Sequence, residues 1–278
     1  MNLLVGIAGL VLALPLVIAL MFLGKVLVLY LARALYLRGG PRLPVVSWTA
    51  LIAREALAQA RIVAWHITRR GDDDLVGPSA DLGDERVIPV VLAHGLAADG
   101  TSMSQLRQAL IEQGRTTYAP HLGPMFRPLE RYGQALAQAI DRALAAHPHA
   151  HDIDVVAHSM GGIALRACLR ARPDLALRVR RVVTIASPHA GTRAATHLPT
   201  TEARVLYPGA PWLLALPSLR ALLPSSPITT VCSRHDAVVY PHETCRVEGA
   251  NHHVLDQVGH AELLVHRSVV ELVQAALA

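Results

Sequence analysis

The stretch Asp154-Val-Val-Ala-His-Ser-Met-Gly-Gly162 carries the strongest chemical signal in the chain. An apolar run ends at His158, a serine follows, and two glycines come shortly after it. This order suits a strand that turns sharply into a helix with Ser159 at the apex. So tight a turn leaves room only for small residues two positions before and two after the serine. Ala157 and Gly161 meet that need, Ala157 where a glycine is usual, and Gly162 lets the helix pack close. A serine that merely caps a helix would not require small residues on both sides. The turn would project the hydroxyl off the end of a sheet, with the Met160 N–H at the helix N-terminus to stabilise an oxyanion. The chemistry that fits is nucleophilic acyl transfer.

A serine hydroxyl needs a base, and the base needs an orienting acid. On a strand–turn–helix scaffold of this type the chain order is Ser, then Asp or Glu, then His. Asp236 ends the polar turn Ser233-Arg-His-Asp236, directly after the apolar run 228–232. That places it at a strand's C-terminal edge, as Ser159 is. Asp174 lies beyond a helix end and reads as a surface residue. Five histidines follow Asp236: His242, His252, His253, His260 and His266. His260, in Val258-Gly-His-Ala-Glu-Leu-Leu264, stands just before the last helix and is the expected base. His252 and His253 are rivals, in what reads as a polar loop. In Val90-Val-Leu-Ala-His-Gly-Leu96, a buried strand runs into His94-Gly95, and the Leu96 N–H is the second candidate oxyanion donor. His94 itself reads as a residue that shapes this loop.

The elements that must position these residues alternate. Strands are expected at 87–93, 116–119, 153–157, 182–186 and 228–232. Helices are expected at 101–113, 128–146, 160–172 and 262–277. Alternation of this kind implies an α/β fold with a mainly parallel sheet covered on both faces. No internal repeat interrupts it. Residues 193–227 form a long, apolar, proline-rich connection with Tyr207, Trp212, Leu213, Leu214 and Leu216. It reads as a lid or acyl-chain wall, or else as a loop with its own small core.

The N-terminal part differs in character. Residues 3–24 hold no charged side chain. At ~1.5 Å per residue they reach about the ~30 Å of a bilayer's hydrocarbon, so a transmembrane anchor is expected at the start of the chain. A cleaved signal peptide fits less well, because no early Lys or Arg precedes the apolar run. Residues 26–37 extend the helix or lie in the membrane interface, with Tyr30 and Tyr36 at headgroup depth. Lys25, Arg33, Arg38 and Arg42 all follow the run, which places the rest of the chain on the cytoplasmic side by the positive-inside rule. A helix from Ser47 to about Thr68 lies on the membrane or packs on the catalytic domain. Residues 71–84 are acidic, contain Gly and Pro, and read as a linker. Three regions result: an anchor with its extension (1–38), a juxtamembrane helix and linker (39–85), and a catalytic domain (86–278).

The chain has 278 residues and a net charge of +5. Residues 1–46 hold four basic residues and no acid, so the rest carries only +1. The basic balance belongs to the anchor, and no nucleic-acid footprint is present. Cys168, Cys232 and Cys245 are too few for a disulfide framework, though a Cys232–Cys245 bridge is an alternative to three buried thiols. His147, His149 and His151 alternate at a helix end, where a solvated loop is favoured over a metal site.

The segments AHGL (93–96), AHSMGG (157–162), ASPHAGT (186–192), CSRHDAVV (232–239) and VGHAELL (258–264) occur in this order. In these pieces the chain resembles bacterial triacylglycerol lipases and related esterases of the α/β-hydrolase superfamily, over about residues 86–278. The resemblance implies the α/β-hydrolase fold, a Ser159–Asp236–His260 triad and oxyanion donors at Leu96 and Met160. It implies a lipid ester as substrate, no cofactor and no metal, with His189 as a structural position. Ala157 and the anchor depart from the usual pattern. Acyltransferases and lipid-remodelling deacylases use the same triad and remain alternatives. A non-catalytic membrane-tethered protein on this fold is disfavoured by the full set of triad candidates.

Overall fold

Successive side chains of a strand face opposite sides of its sheet. Val91, Ala93, Val155, Ala157 and Val182 accordingly join one buried cluster, and Val90, Leu92, Val156, Val183 and Ile185 a second. Strands apolar on both sides need cover on both faces. The structure, a computed structural model, describes residues 23–34, 45–68, 74–76, 87–96, 98–124, 127–197 and 201–278.

In chain order, residues 23–34 form α1 and Val45–Thr68 form α2. Next come β1 (Asp74–Val76), β2 (Val90–Ala93), a 3-10 turn at Gly100–Met103, α3 (Ser104–Ile111), β3 (Thr117–Pro120) and α4 (Leu129–Ala146). They are followed by β4 (Ile153–His158), α5 (Met160–Ala171), α6 (Pro173–Ala176) and β5 (Val179–Ile185). A connection with three short helices, α7 (Thr201–Arg204), α8 (Pro211–Ala215) and α9 (Leu219–Leu222), leads to β6 (Ile228–Ser233). The chain then forms β7 (Asn251–Leu255) and α10 (Arg267–Leu277). The sheet order is β1-β3-β2-β4-β5-β6-β7. Strands β2 to β7 are parallel, and β1 pairs antiparallel with β3 at one edge. Leu136 and Ile140 of α4 and Ile163 and Leu169 of α5 cover one face. Leu106 and Leu110 of α3 and Val269 and Val273 of α10 cover the other. This is the expected mainly parallel α/β architecture.

Several elements depart from expectation. The linker 71–84 contributes β1, whose three residues pair with Tyr118, Ala119 and Pro120. The stretch holding His252 and His253 is strand β7 rather than a polar loop. The closing helix is broken: a 3-10 turn at Glu262–Leu264 precedes α10. The helix expected at 101–113 begins as a 3-10 turn, with the Asp99 carboxylate accepting the Thr101 N–H at 2.9 Å.

The run 3–24, expected as a transmembrane anchor, lies outside the described residues except for its last two positions. Among the described residues no helix is long and apolar enough to cross a membrane. Tyr30, expected to face the membrane interface, packs against protein: α1 buries Val26 and Tyr30 against Leu51 and Ala237, and the Tyr30 ring meets Trp48 edge-on at 5.8 Å. Tyr36 is outside the described residues. The opposite face of α1 leaves Leu23, Leu27, Val28 and Leu31 exposed. Helix α2 packs on the α/β domain, with Leu51, Glu55 and Ala58 buried.

Segment 193–227 shares the main core rather than forming one of its own. Leu213, Leu216, Leu219 and Leu223 join the cluster of α4 and α5. Arg166 of α5 fastens it further, donating to the carbonyls of Pro217 (2.9 Å), Leu216 (2.7 Å) and His189 (2.7 Å). The Trp212 indole N–H donates to the Glu130 carboxylate on α4.

Candidate active site

Strand β4 and helix α5 meet at Ser159, whose backbone sits at φ 54 and ψ −126. A side-chain-bearing residue rarely adopts positive φ, so the surroundings must enforce it. The Ser159 N–H donates to Ile185 O on β5 at 2.8 Å. The glycines are needed for contact reasons. A Cβ on Gly161 would stand 2.4 Å from the Ala93 carbonyl oxygen, and one on Gly162 would stand 2.3 Å from Ser187 Oγ. One on Gly95 would stand 3.0 Å from Ser159 Cβ, so the loop that carries Leu96 rests directly against the serine. Ala157 fits with its methyl group fully buried.

The structure brings three of the expected residues into one line. The Ser159 hydroxyl donates to His260 Nε2 at 3.1 Å, and His260 Nδ1–H donates to Asp236 Oδ2 at 2.7 Å. Asp236 is buried, and its second oxygen accepts the N–H groups of Val238 (2.7 Å) and Val239 (2.8 Å). Those bonds lock the carboxylate's orientation, and the carboxylate in turn selects the His260 tautomer with Nε2 free to take a proton. Burial pulls the His260 pKa down, but the Asp236 charge and hydrogen bond, with Glu55 beyond, bring it above the ordinary 6.5. Leu96 lies in the turn after β2, and Met160 opens α5. An N–H in the first helical turn has no intrahelical acceptor.

The remaining candidates fall elsewhere. His252 of β7 meets Thr230 Oγ1 on β6, at 2.5 Å. Asp174 is exposed and pairs with Arg172. His94 donates from Nδ1 to Gly95 O at 2.8 Å and accepts the Leu122 N–H on Nε2 at 3.0 Å, tying two loops together. Burial pushes its pKa down to about 4, which keeps it neutral, as that double role requires. His189 is buried near Thr184 Oγ1, at 3.2 Å, and burial brings it down to about 3. His147 is buried against Tyr118 OH rather than solvated, and no metal-holding cluster occurs among the described residues. The three cysteines are free and buried.

Two contacts of the His260 loop were not anticipated. The His158 ring lies 4.7 Å from the His260 ring, and its Nε2–H donates to the His260 carbonyl at 3.3 Å. Its position beside Ser159 was the available signal. Glu55 of α2 accepts the N–H groups of Ala261 and Glu262. Glu55 is the one acid in Val45–Thr68, and it falls on the stripe of Leu51 and Ala58.

The family model described as Palmitoyl protein thioesterase matches residues 89–246. No curated protein matches the chain. Among solved structures, the mature form of Bacillus licheniformis lipase BlEst2 superposes with a TM-score of 0.63 at 15% identity, covering 74% of this chain and 98% of that one. Aspergillus fumigatus lipase B gives a TM-score of 0.58 at 16% identity, covering 69% of this chain and 52% of that one. A thermophilic esterase from Thermogutta terrifontis gives 0.52 at 17% identity, covering 73% and 92%. At such identities the likeness establishes the α/β-hydrolase fold.

Proposed function

We propose that this chain, which belongs to the palmitoyl protein thioesterase family, is a serine hydrolase that cleaves carboxylic esters of lipids through an acyl-enzyme. The observation that carries the reading is the line from Ser159 Oγ through His260 to Asp236, at 3.1 and 2.7 Å. In the first step Ser159 Oγ bonds to the acyl carbon and its proton passes to His260 Nε2. The N–H groups of Leu96 and Met160 hold the resulting oxyanion. Collapse breaks the bond to the leaving alcohol, which takes the proton from His260. Water then repeats the sequence on the acyl-enzyme, releasing a carboxylic acid and restoring Ser159. His260 accepts a proton only when neutral, so kcat/KM rises with pH through its raised pKa.

The apolar segment 193–227, whose leucines share a buried cluster with Met160 against which Leu96 packs, supports an acyl chain as the group transferred. The family match favours a second reading, in which the same site cleaves a long-chain thioester and the leaving group is a thiol. Both readings share the acyl half of the substrate. Action at a bilayer is also proposed, supported by the uncharged run 3–24 and the outward Leu23, Leu27, Val28 and Leu31 of α1. Flotation of the full chain with phosphatidylcholine vesicles tests it, and a chain left wholly at the bottom of the gradient contradicts it.

The functional test is turnover of nitrophenyl esters of graded acyl length, and of a palmitoyl thioester, by the wild type and Ser159→Ala. Turnover that favours long chains and vanishes in Ser159→Ala is expected. Equal, slow rates for both proteins would sink the hydrolase reading. The ratio of ester to thioester turnover decides between the two leaving groups.

A further inference from the structure

Helix α2 places a buried carboxylate against the loop that carries His260. Glu55 is 3% exposed. Both of its oxygens lie 3.0 Å from the Ala261 nitrogen, Oε2 also accepts the Glu262 N–H at 2.9 Å, and Oε1 accepts from the Gln59 amide at 3.0 Å. Burial pushes the Glu55 pKa up, and the hydrogen bonds from Ala261, Gln59 and Glu262 oppose that rise. Every one of these partners is a donor, so the ionised carboxylate, an acceptor on both oxygens, is the form they favour. A Cβ on Gly259 would stand 2.2 Å from Glu55 Oε2, so the loop closes on the carboxylate without space for a side chain there.

The neighbouring residue completes the hold. Arg54 donates to Glu262 Oε1 at 2.7 Å and to the Gln257 carbonyl, while Glu262 Oε2 accepts the Gly259 N–H at 3.0 Å. The residues on both sides of His260 are therefore tied to α2, directly at Ala261 and through Glu262 at Gly259. A buried carboxylate is costly to desolvate. If α2 merely docked on the domain, an apolar side chain like those of Leu51 and Ala58 would serve at that position. The acid instead stands where the stripe meets two backbone N–H groups of the reacting loop.

We infer that Glu55 is a positioning residue for the proposed hydrolysis, its carboxylate fixing the 259–262 loop so that His260 Nε2 stays in line with Ser159 Oγ. The inference rests on the assignment of Ser159 and His260 above. The charge of Glu55 acts in the same direction as Asp236, raising the basicity of His260. Lys25 of α1 opposes it, and His158, the other titratable ring against His260, is kept neutral first by burial.

The test uses the full chain with a nitrophenyl ester and follows kcat, KM and the pH profile of kcat/KM. Glu55→Gln retains an amide oxygen for the loop but loses the charge, so the acid limb of the profile should move to lower pH. Glu55→Ala should lower kcat by up to about 100-fold, the loss that misplacing a reacting group by about 1 Å can cause, with KM little changed. Val273→Ala, a truncation on α10 away from the loop, should lower the melting temperature without moving kcat or the acid limb. Wild-type kcat and an unmoved limb in the Glu55 variants would overturn the inference, as would equal kinetic changes in Val273→Ala. If Glu55→Ala does not fold, an unmoved limb in Glu55→Gln is enough to overturn it. Ser159→Ala separates the two levels: full turnover there removes the underlying assignment, whereas an inactive Ser159→Ala beside unaffected Glu55 variants removes only the positioning role.

Discussion

Two covers pack on the domain that carries Ser159, His260 and Asp236, and their polar bonds hold different stretches of backbone. Segment 193–227 is held by buried leucines that join the core of α4 and α5, with Arg166 capping three of its neighbouring carbonyls. Helices α1 and α2 bury a smaller apolar cluster and attach through side chains bonded to the backbone of the reacting loops. Arg33 of α1 donates to the Arg234 carbonyl, just before Asp236, and Glu55 and Arg54 of α2 hold the loop of His260. The two loops are also tied to each other, since His235 Nδ1 accepts the Gln257 N–H at 2.8 Å. Apolar burial is non-directional and secures presence. Hydrogen bonds to backbone are directional and secure position: those of Arg166 hold segment 193–227 itself, whereas those of Arg33, Arg54 and Glu55 hold the loops of Asp236 and His260. Damage to the first cover should therefore appear in stability, and damage to the second in catalysis.

The largest effect that would break this contrast is at Arg166. Arg166→Met leaves the buried carbonyls of His189 and Leu216 without their donor and removes a part-buried bond to Pro217. At about 1–3 kcal/mol for each unsatisfied buried group the loss of stability should reach about 3 kcal/mol. The urea midpoint should fall accordingly, while kcat of the folded protein stays within about threefold of wild type, a limit we set below the tenfold equivalent of ~1.4 kcal/mol. A collapse of kcat at unchanged stability would make the two covers alike. Next is Gly161→Ala, at the elbow between them. Its methyl group must displace the Ala93 backbone, costing about 1–3 kcal/mol of overpacking and a measurable part of kcat. Unchanged kinetics and melting temperature would show that the elbow has slack.

Trp212→Phe sharpens the contrast at smaller scale. It removes the indole donor to Glu130 and should cost about 1 kcal/mol in urea unfolding with kcat unchanged. The smallest effect is at Leu214, 74% exposed on the cover. Leu214→Ser should alter stability by no more than about 0.5 kcal/mol. A rise in KM for long-chain but not short-chain esters in this variant would make Leu214 part of the acyl path. The pH dependence bears on both covers: the acid limb of kcat/KM should have its midpoint above 6.5, because Asp236 and Glu55 favour the protonated imidazole. A midpoint below that value would contradict the charge environment described for His260.

The site was more legible than its support. Strand β2 and the Val155–Ala157 part of β4 are continuous apolar runs, and β6 sets Ile228, Val231 and Cys232 among buried threonines, because both of their faces are buried. Each strand is followed by turn chemistry that marks where Leu96, Ser159 and Asp236 stand. The edge strands lack this signal. Strand β7 has one strand neighbour and partly exposed side chains, so Asn251-His-His-Val-Leu255 resembled a loop. Strand β1 is three residues inside an acidic, Gly- and Pro-containing stretch. The break before α10 has no glycine or proline to announce it; the loop follows its tertiary contacts to Glu55 and Arg54. An apolar run at 26–37 suits lipid and protein burial equally, and α1 uses one face against the protein. Glu55 acts more than two hundred residues away in sequence, and only its place on the apolar stripe of α2 sets it apart.

The most direct measurement is the mass of the protein trapped with a long-chain nitrophenyl ester or a phosphonate analogue, followed by peptide mapping. One acyl or phosphonyl group is expected on the peptide that contains Ser159, and none in Ser159→Ala. An adduct on another residue, or an unmodified protein that still turns over substrate, would contradict Ser159 as the nucleophile.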